Sequence, residues 1–195
     1  MPSEQSRPDV VLARRLFRLR LQRWQRRRLV FVDESGINLS FTPTYGRALR
    51  GERVVDDVPA GRWETYSVIA ALRSSGIVAP MVLRGAMDTA ALRAWVQSTL
   101  APELRQGDIV VWDNLSIHED PEVAEMIAMR GARLEFLPPY SADLNPIEEA
   151  WSKMKSVLRR IGARTLDALL AAVAEALEAI SPIDCNGWFR HAGYR

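Results

Sequence analysis

Two short runs constrain this chain more than anything else in it. Leu29-Val30-Phe31-Val32 and Ile109-Val110-Val111-Trp112 are wholly apolar, and each ends at once in an aspartate, Asp33 and Asp113. Four apolar residues in a row, without alternation, suit a strand buried on both faces, as in a parallel sheet covered by helices. Such strands demand helices above and below them, and the rest of the chain must supply those. If the two strands lie side by side and parallel, their carboxylates meet at the carboxyl edge of the sheet, where ligand sites of open α/β sheets tend to sit.

The remaining segments read as follows. A helix is expected from about Asp9 to Arg26, with Asp9 as N-cap and with Leu12, Leu16, Leu19 and Arg23 on one face. The first strand is expected to stop at Asp33, and residues 37–62 to be irregular with short strand pieces. Tyr66–Leu72 and Ile77–Leu83 form a hairpin around Arg73-Ser74-Ser75-Gly76. Helical spacing runs from Thr89 to Leu100 and from Pro121 to Met129. Leu134–Leu137 is a short strand stopped by Pro138-Pro139, and helices follow over Pro146–Arg160 and Leu166–Ile180. The last has Thr165 as N-cap and Leu166, Leu169, Leu170, Val173, Leu177 and Ile180 as its buried face. This order gives an α/β fold with a mixed sheet.

Of 195 residues, 48% are hydrophobic and 26% charged, which suits one folded domain and excludes a disordered chain. Net charge is only +2, yet eight arginines between Arg14 and Arg28 crowd the amino-terminal segment. Such a cluster either binds phosphate or solvates a helix face. Cys185 is the only cysteine, so no internal disulfide and no cysteine-based zinc site can form. The longest apolar stretch, Leu166–Ile180, is broken by Asp167, Glu175 and Glu178, so no membrane partner is expected. The amino terminus lacks the apolar core of a signal peptide, and a cytoplasmic, nucleoid-associated location is the expectation.

Asp33 and Asp113 suggest chemistry when a third acid joins them. Phosphoryl transfer on DNA can dispense with a protein nucleophile if carboxylates hold two divalent ions, and magnesium prefers such hard oxygen ligands. The segment Leu137–Trp151 offers Asp143, Glu148 and Glu149. Ile147, Trp151, Met154 and Leu158 form the helical stripe that faces the sheet; Glu149 points away from it, and Glu148 lies at its border. Glu148 is therefore the choice. The competing account is a helix start, with Asn145 capping, Pro146 in first position and Glu148 completing a capping box.

These segments resemble a known family. Phe31-Val32-Asp33-Glu34-Ser35-Gly36, then Val111-Trp112-Asp113-Asn114 with His118, then Leu137 through Trp151, with its Leu-Pro-Pro-Tyr-Ser opening and Asp-Leu-Asn-Pro-Ile-Glu centre, look like the three signature blocks of DDE transposases. The group most like this chain is the bacterial insertion-sequence transposases related to the mariner elements. The third block is the most specific, and the likeness runs from about Arg7 to Arg160. It implies a ribonuclease H-like, integrase-type fold, a mixed five-stranded sheet flanked by helices. It implies that Asp33, Asp113 and Glu148 hold two Mg²⁺ or Mn²⁺ ions. It further implies cut-and-paste transposition: water cleaves a phosphodiester at the element end, and the freed 3′-hydroxyl attacks target DNA, usually at TA. Asn114, His118 and Asn145 would support the triad.

Arg47, Arg50, Arg53 and Arg62 follow the first strand and either contact double-stranded DNA or simply solvate a loop; Lys153 and Lys155 follow Glu148 and either flank the DNA or suit the carboxyl end of their helix through its dipole. Trp112 and Trp151 read as core. The expected division is an arginine-rich linker helix over 1–27, a catalytic domain over 28–182 and a tail over 183–195. Relatives usually carry a helix-turn-helix reader of the element ends, and only one helix precedes the first strand here. The expected partners are a second copy, by analogy, since transposition must join two DNA ends, or a chain bearing such a reader. The alternative function is a catalytically silent or truncated fragment that binds DNA or oligomerises as a regulator. A serine or cysteine hydrolase is poorly supported, since no nucleophile motif surrounds Ser35 or Cys185.

Overall fold

The structure is a computed structural model that describes residues 3–55, 57, 59–60, 64–113 and 120–194. Its sheet consists of β1 (Leu29–Asn38), β2 (Thr65–Arg73), β3 (Gly76–Arg84), β4 (Ile109–Trp112) and β5 (Arg133–Phe136), in the spatial order β3-β2-β1-β4-β5. β1 to β3 form an antiparallel meander, while β4 and β5 add in parallel beyond β1. This is the mixed sheet expected, with both apolar runs adjacent and parallel.

Both faces of β1 and β4 are covered, which is why these runs show no polar alternation. Leu29, Phe31, Ile109 and Val111 pack under α5 (Ile147–Ile161), α6 (Leu166–Glu178) and α7 (Pro182–His191). Val30, Val32, Val110 and Trp112 pack on the opposite side, against α2 (Thr89–Trp95) and α4 (Pro121–Met129). Asp88 caps α2 by accepting from the Ala91 amide. The chain then winds through a π-helical turn at Val96–Leu100 and the short α3 (Ala101–Glu103). Gly162 closes α5 in the left-handed conformation, φ 64°, where its amide returns to the Leu158 carbonyl.

Several expectations need correction. β1 does not end at Asp33; it runs on to Asn38 because β2 supplies an antiparallel partner for every residue from Phe31 onward. No strand occurs among the described residues between β1 and β2. β5 sits one residue earlier than expected. The amino-terminal helix α1 spans Pro8–Leu21, with Pro8 rather than Asp9 opening it, and Asp9 pairs with the Arg7 side chain. Its buried residues are Val10 and Phe17, whereas Leu12, Leu16 and Leu19 are exposed. In α6 the buried face is Leu169, Ala172, Val173 and Ala176, with Leu166 and Leu170 half-exposed, because two alanines let α6 lie closely on α5. The expected tail is helix α7, opened by a capping box between Ser181 and Asp184. Cys185, Phe189 and Tyr194 are buried in the main core.

Candidate functional site

The pleat decides where the two aspartates point. Side chains alternate along a strand, so Asp33 shares a face with Leu29 and Phe31, the face covered by α5. β1 and β4 pair with Leu29 opposite Ile109 and Phe31 opposite Val111. Carrying that register two residues further sets Asp33 beside Asp113. A slip of one residue would turn either carboxylate to the other side of the sheet. Asp33 is held within the ladder opposite Ala70, while Asp113 is the first residue past β4.

Glu148 lies in the first turn of α5, whose Ile147, Ala150, Trp151, Met154 and Leu158 are buried against the sheet. The three acids line one cleft of about 450 Å³, with residues 137–142 as the facing wall. No lysine, arginine or histidine lines it among the described residues. The capping-box alternative for Glu148 is not what the helix uses: Pro146 precedes α5 without a side-chain cap. Among the described residues the buried Oδ1 of Asn145, which also lines the cleft, has no hydrogen-bond partner.

Electrostatics mark Asp33 as the pivotal group. Burial, then the charge of Glu148 and to a lesser degree that of Asp113, push its carboxyl up to about 7; donation from the Glu34 amide and the Trp151 indole opposes this. The indole N–H reaches Oδ2 at 3.1 Å. Trp151 is thus core, as expected, and also a positioning group that the sequence did not disclose. A cleft lined by hard oxygen donors, with an acid whose carboxyl is raised by burial and by neighbouring carboxylates, suits a cation. The described residues nevertheless contain no group of three or more carboxylate, histidine or cysteine side chains gathered as a finished metal site.

A second contact missed by the sequence is Arg14. Its guanidinium forks onto Asp143 at 2.8 and 2.6 Å and also donates to Ser141 Oγ and the Tyr140 carbonyl. Gln5 reaches the same carbonyl. Tyr140 has φ 55°, a strained conformation for a non-glycine residue, so α1 clamps the cleft wall at the point where it is least relaxed. Arg14 holds the Asp143 carboxyl below the usual range. Asp143 is therefore committed outside the cleft, and Glu149 is not part of its lining.

The other predicted residues divide. Arg47, Arg50 and Arg53 are exposed in the segment after β1, and Lys155 lies on the Glu148 side of α5. Lys153 is already engaged, donating to the Ala179 carbonyl and to Asp184, so it is not brought to the site. Arg62, Asn114 and His118 lie outside the described residues.

Residues 28–170 match the family described as DDE superfamily endonuclease. The chain belongs to that family. No curated protein matches it significantly. Among solved structures, the Mos1 transposase paired-end complex with left transposon end is similar with a TM-score of 0.74 at 14% identity, over 94% of this chain and 57% of that one. The Mos1 mariner paired end complex with Mn gives 0.74 at 16% identity, over 94% and 58%. The catalytic domain of Mos1 mariner transposase gives 0.66 at 15%, over 98% and 88%. The fold of this chain is thus that of the Mos1 catalytic domain, the ribonuclease H-like arrangement expected. The chain spans under three fifths of the length of the transposase chains in those two complexes.

Proposed function

We propose that this chain is the catalytic domain of a cut-and-paste DNA transposase, with Asp33, Asp113 and Glu148 as its catalytic carboxylates. The observation that carries the reading is the cleft onto which these three acids open, free of basic side chains among the described residues. Two Mg²⁺ or Mn²⁺ ions are the proposed cofactors; when bound, they would supply Lewis acidity and offset charge on the reacting phosphate. Metal use by a relative supports this, since one Mos1 complex is a complex with Mn.

The chain's own residues have distinct tasks in this scheme. Asp33 on β1 and Asp113 just past β4 would hold the ions, and Glu148 would close the set from α5. Trp151 fixes one oxygen of Asp33. The Pro138-Pro139 wall narrows the cleft, and Arg14 keeps that wall in place. Asn145, which lines the cleft and whose buried oxygen has no hydrogen-bond partner among the described residues, orients water or a ligand; Asn114 and His118 support Asp113. The proposed reaction is hydrolysis of a phosphodiester at an element end, followed by attack of the freed 3′-hydroxyl on target DNA at TA. Arg47, Arg50, Arg53, Arg62 and Lys155 would meet DNA phosphates. We place the protein in the cytoplasm, at the nucleoid, acting as a homodimer or with a helix-turn-helix-bearing partner chain. No helix of the described residues is long and apolar enough to cross a membrane.

Incubating the protein with supercoiled plasmid and Mn²⁺ tests the reading. Metal-dependent nicking is expected, and Asp113→Asn should abolish it. A folded wild type that never nicks would favour the silent regulator instead. The Trp151→Phe variant separates positioning from packing. A hydrogen bond to a charged group contributes about 1.5–3 kcal/mol, so loss of this one should raise the Mn²⁺ needed for half-maximal nicking by about tenfold or more. An unchanged Mn²⁺ requirement would remove Trp151 from the site.

A further inference from the structure

The strongest unassigned feature lies at the other edge of the sheet. A cavity of about 610 Å³ opens at the amino ends of β1, β4 and β5, lined by Arg20, Arg23, Arg27, Arg28 and Arg133 around Trp24. Asp33 is four residues along β1 from Leu29, about 13 Å at strand rise, so this cavity and the carboxylate cleft face different ways.

These arginines come from four separate places in the chain. Arg20 lies in the last turn of α1, Arg23 lies just past it, Arg27 and Arg28 belong to a single 3₁₀ turn (Arg26–Arg28) before β1, and Arg133 arrives from β5. Five cations face one lining carboxylate, Glu135, which Arg20 and Arg133 already share at 3.1 and 3.5 Å. Arg28 donates to the Gln106 carbonyl and stands 3.9 Å from Asp108, itself committed to Arg73. Arg23 and Arg27 have no acidic partner among the described residues. Gathering like charges costs energy that an anion recovers, and guanidinium forks match phosphate oxygens. Trp24 does not offer a stacking surface for a base: Arg133 covers its ring at 5.5 Å, and Phe17 packs against it at 89°. The ring holds an arginine in place, which points to phosphate rather than nucleobase recognition.

We propose that this cavity is a second DNA-backbone site, taking phosphates of a duplex segment other than the one reacting at the carboxylates. It builds on the DNA-processing function proposed above and adds a site on the opposite edge of the sheet. The test is metal-free binding of a labelled duplex of arbitrary sequence across a salt series, for wild type and an Arg23→Ala/Arg27→Ala variant. Both side chains are exposed, so the fold should persist, checked by an unchanged melt. Each phosphate contact contributes about 0.9 to the slope of log K against log salt; the double variant should therefore show a slope shallower by about 1.8 and roughly tenfold weaker binding at low salt. Arg190→Ala, an exposed arginine elsewhere, should change neither. An unchanged slope in the double variant overturns the proposal, and does so too if pyrophosphate binding depends on Arg23 and Arg27, which would make the cavity a small-anion site. Nicking by wild type is scored separately, so a lost slope with no nicking would sink the transposase reading and leave this one standing.

Discussion

Replacing Asp33 with asparagine should make the metal-free protein more stable at about pH 8, even though it should also end nicking. The sign follows from linkage. Burial and the charges of Glu148 and Asp113 raise the carboxyl from 3.8 to about 7 in the folded state. The folded chain therefore holds this proton more tightly than the unfolded chain does. Stability from that proton is complete below about pH 4 and is lost progressively as pH rises toward 7. A shift of roughly three pKa units, at 1.36 kcal/mol each, amounts to about 4 kcal/mol by about pH 8. The amide introduced by Asp33→Asn would carry no charge to desolvate and should escape the loss. Urea denaturation in chelator at about pH 5 and about pH 8 reads this directly. The wild type should weaken between the two and Asp33→Asn should not. Added Mn²⁺ should raise the wild-type midpoint at the higher pH and leave the variant almost unmoved. If the variant is the less stable protein at the higher pH without metal, Asp33 is not held in the desolvated, anionic surroundings described above.

The parts of this site that were legible in the sequence are those set by local periodicity. Two unbroken apolar runs require cover on both faces, and the pleat then fixes which way Asp33 and Asp113 turn. The stripe Ile147, Trp151, Met154 and Leu158 likewise fixes the azimuth of Glu148, and the structure buries all four. What was not legible depends on partners distant in the chain. The continuation of β1 to Asn38 is imposed by β2, since Glu34, Ser35 and Gly36 do not announce a strand. The bond from Trp151 to Asp33 and the fork from Arg14 to Asp143 join residues more than a hundred positions apart. The face of α1 was misread because its leucines, Leu12, Leu16 and Leu19, outnumber the two residues, Val10 and Phe17, that actually reach the core. In α6 the small side chains Ala172 and Ala176 carry the close contact, and a search for large apolar residues passes over them.

Phe189→Ala should cost about 3–5 kcal/mol, a large share of the roughly 5–15 kcal/mol that holds a domain together. The segment that carries it is the one expected to be a tail, and it contains the poor helix formers Asn186 and Gly187. The signal for a helix was the pair Ser181 and Asp184, which satisfy each other's backbone amides at the start of α7. Lys153 on α5 adds a third bond to Asp184 and helps hold that carboxyl down at about 2. Once formed, α7 delivers Phe189 to full burial, edge-on to Phe31 at 5.3 Å, two residues before Asp33. Just beyond it, Tyr194 donates to the Leu144 carbonyl at 2.7 Å, in the turn that leads into Glu148. The helix thus supports both the strand and the turn from which two of the three acids project. Removing the ring leaves a cavity beneath β1 that its neighbours cannot fill without moving Phe31. The comparison is Ile183→Ala on the exposed side of the same helix, expected to stay within about 0.5 kcal/mol of wild type. Chemical denaturation of the two variants should separate them by several kcal/mol. Equal midpoints would mean that α7 is not part of the core and that β1 and the turn before Glu148 are held without it.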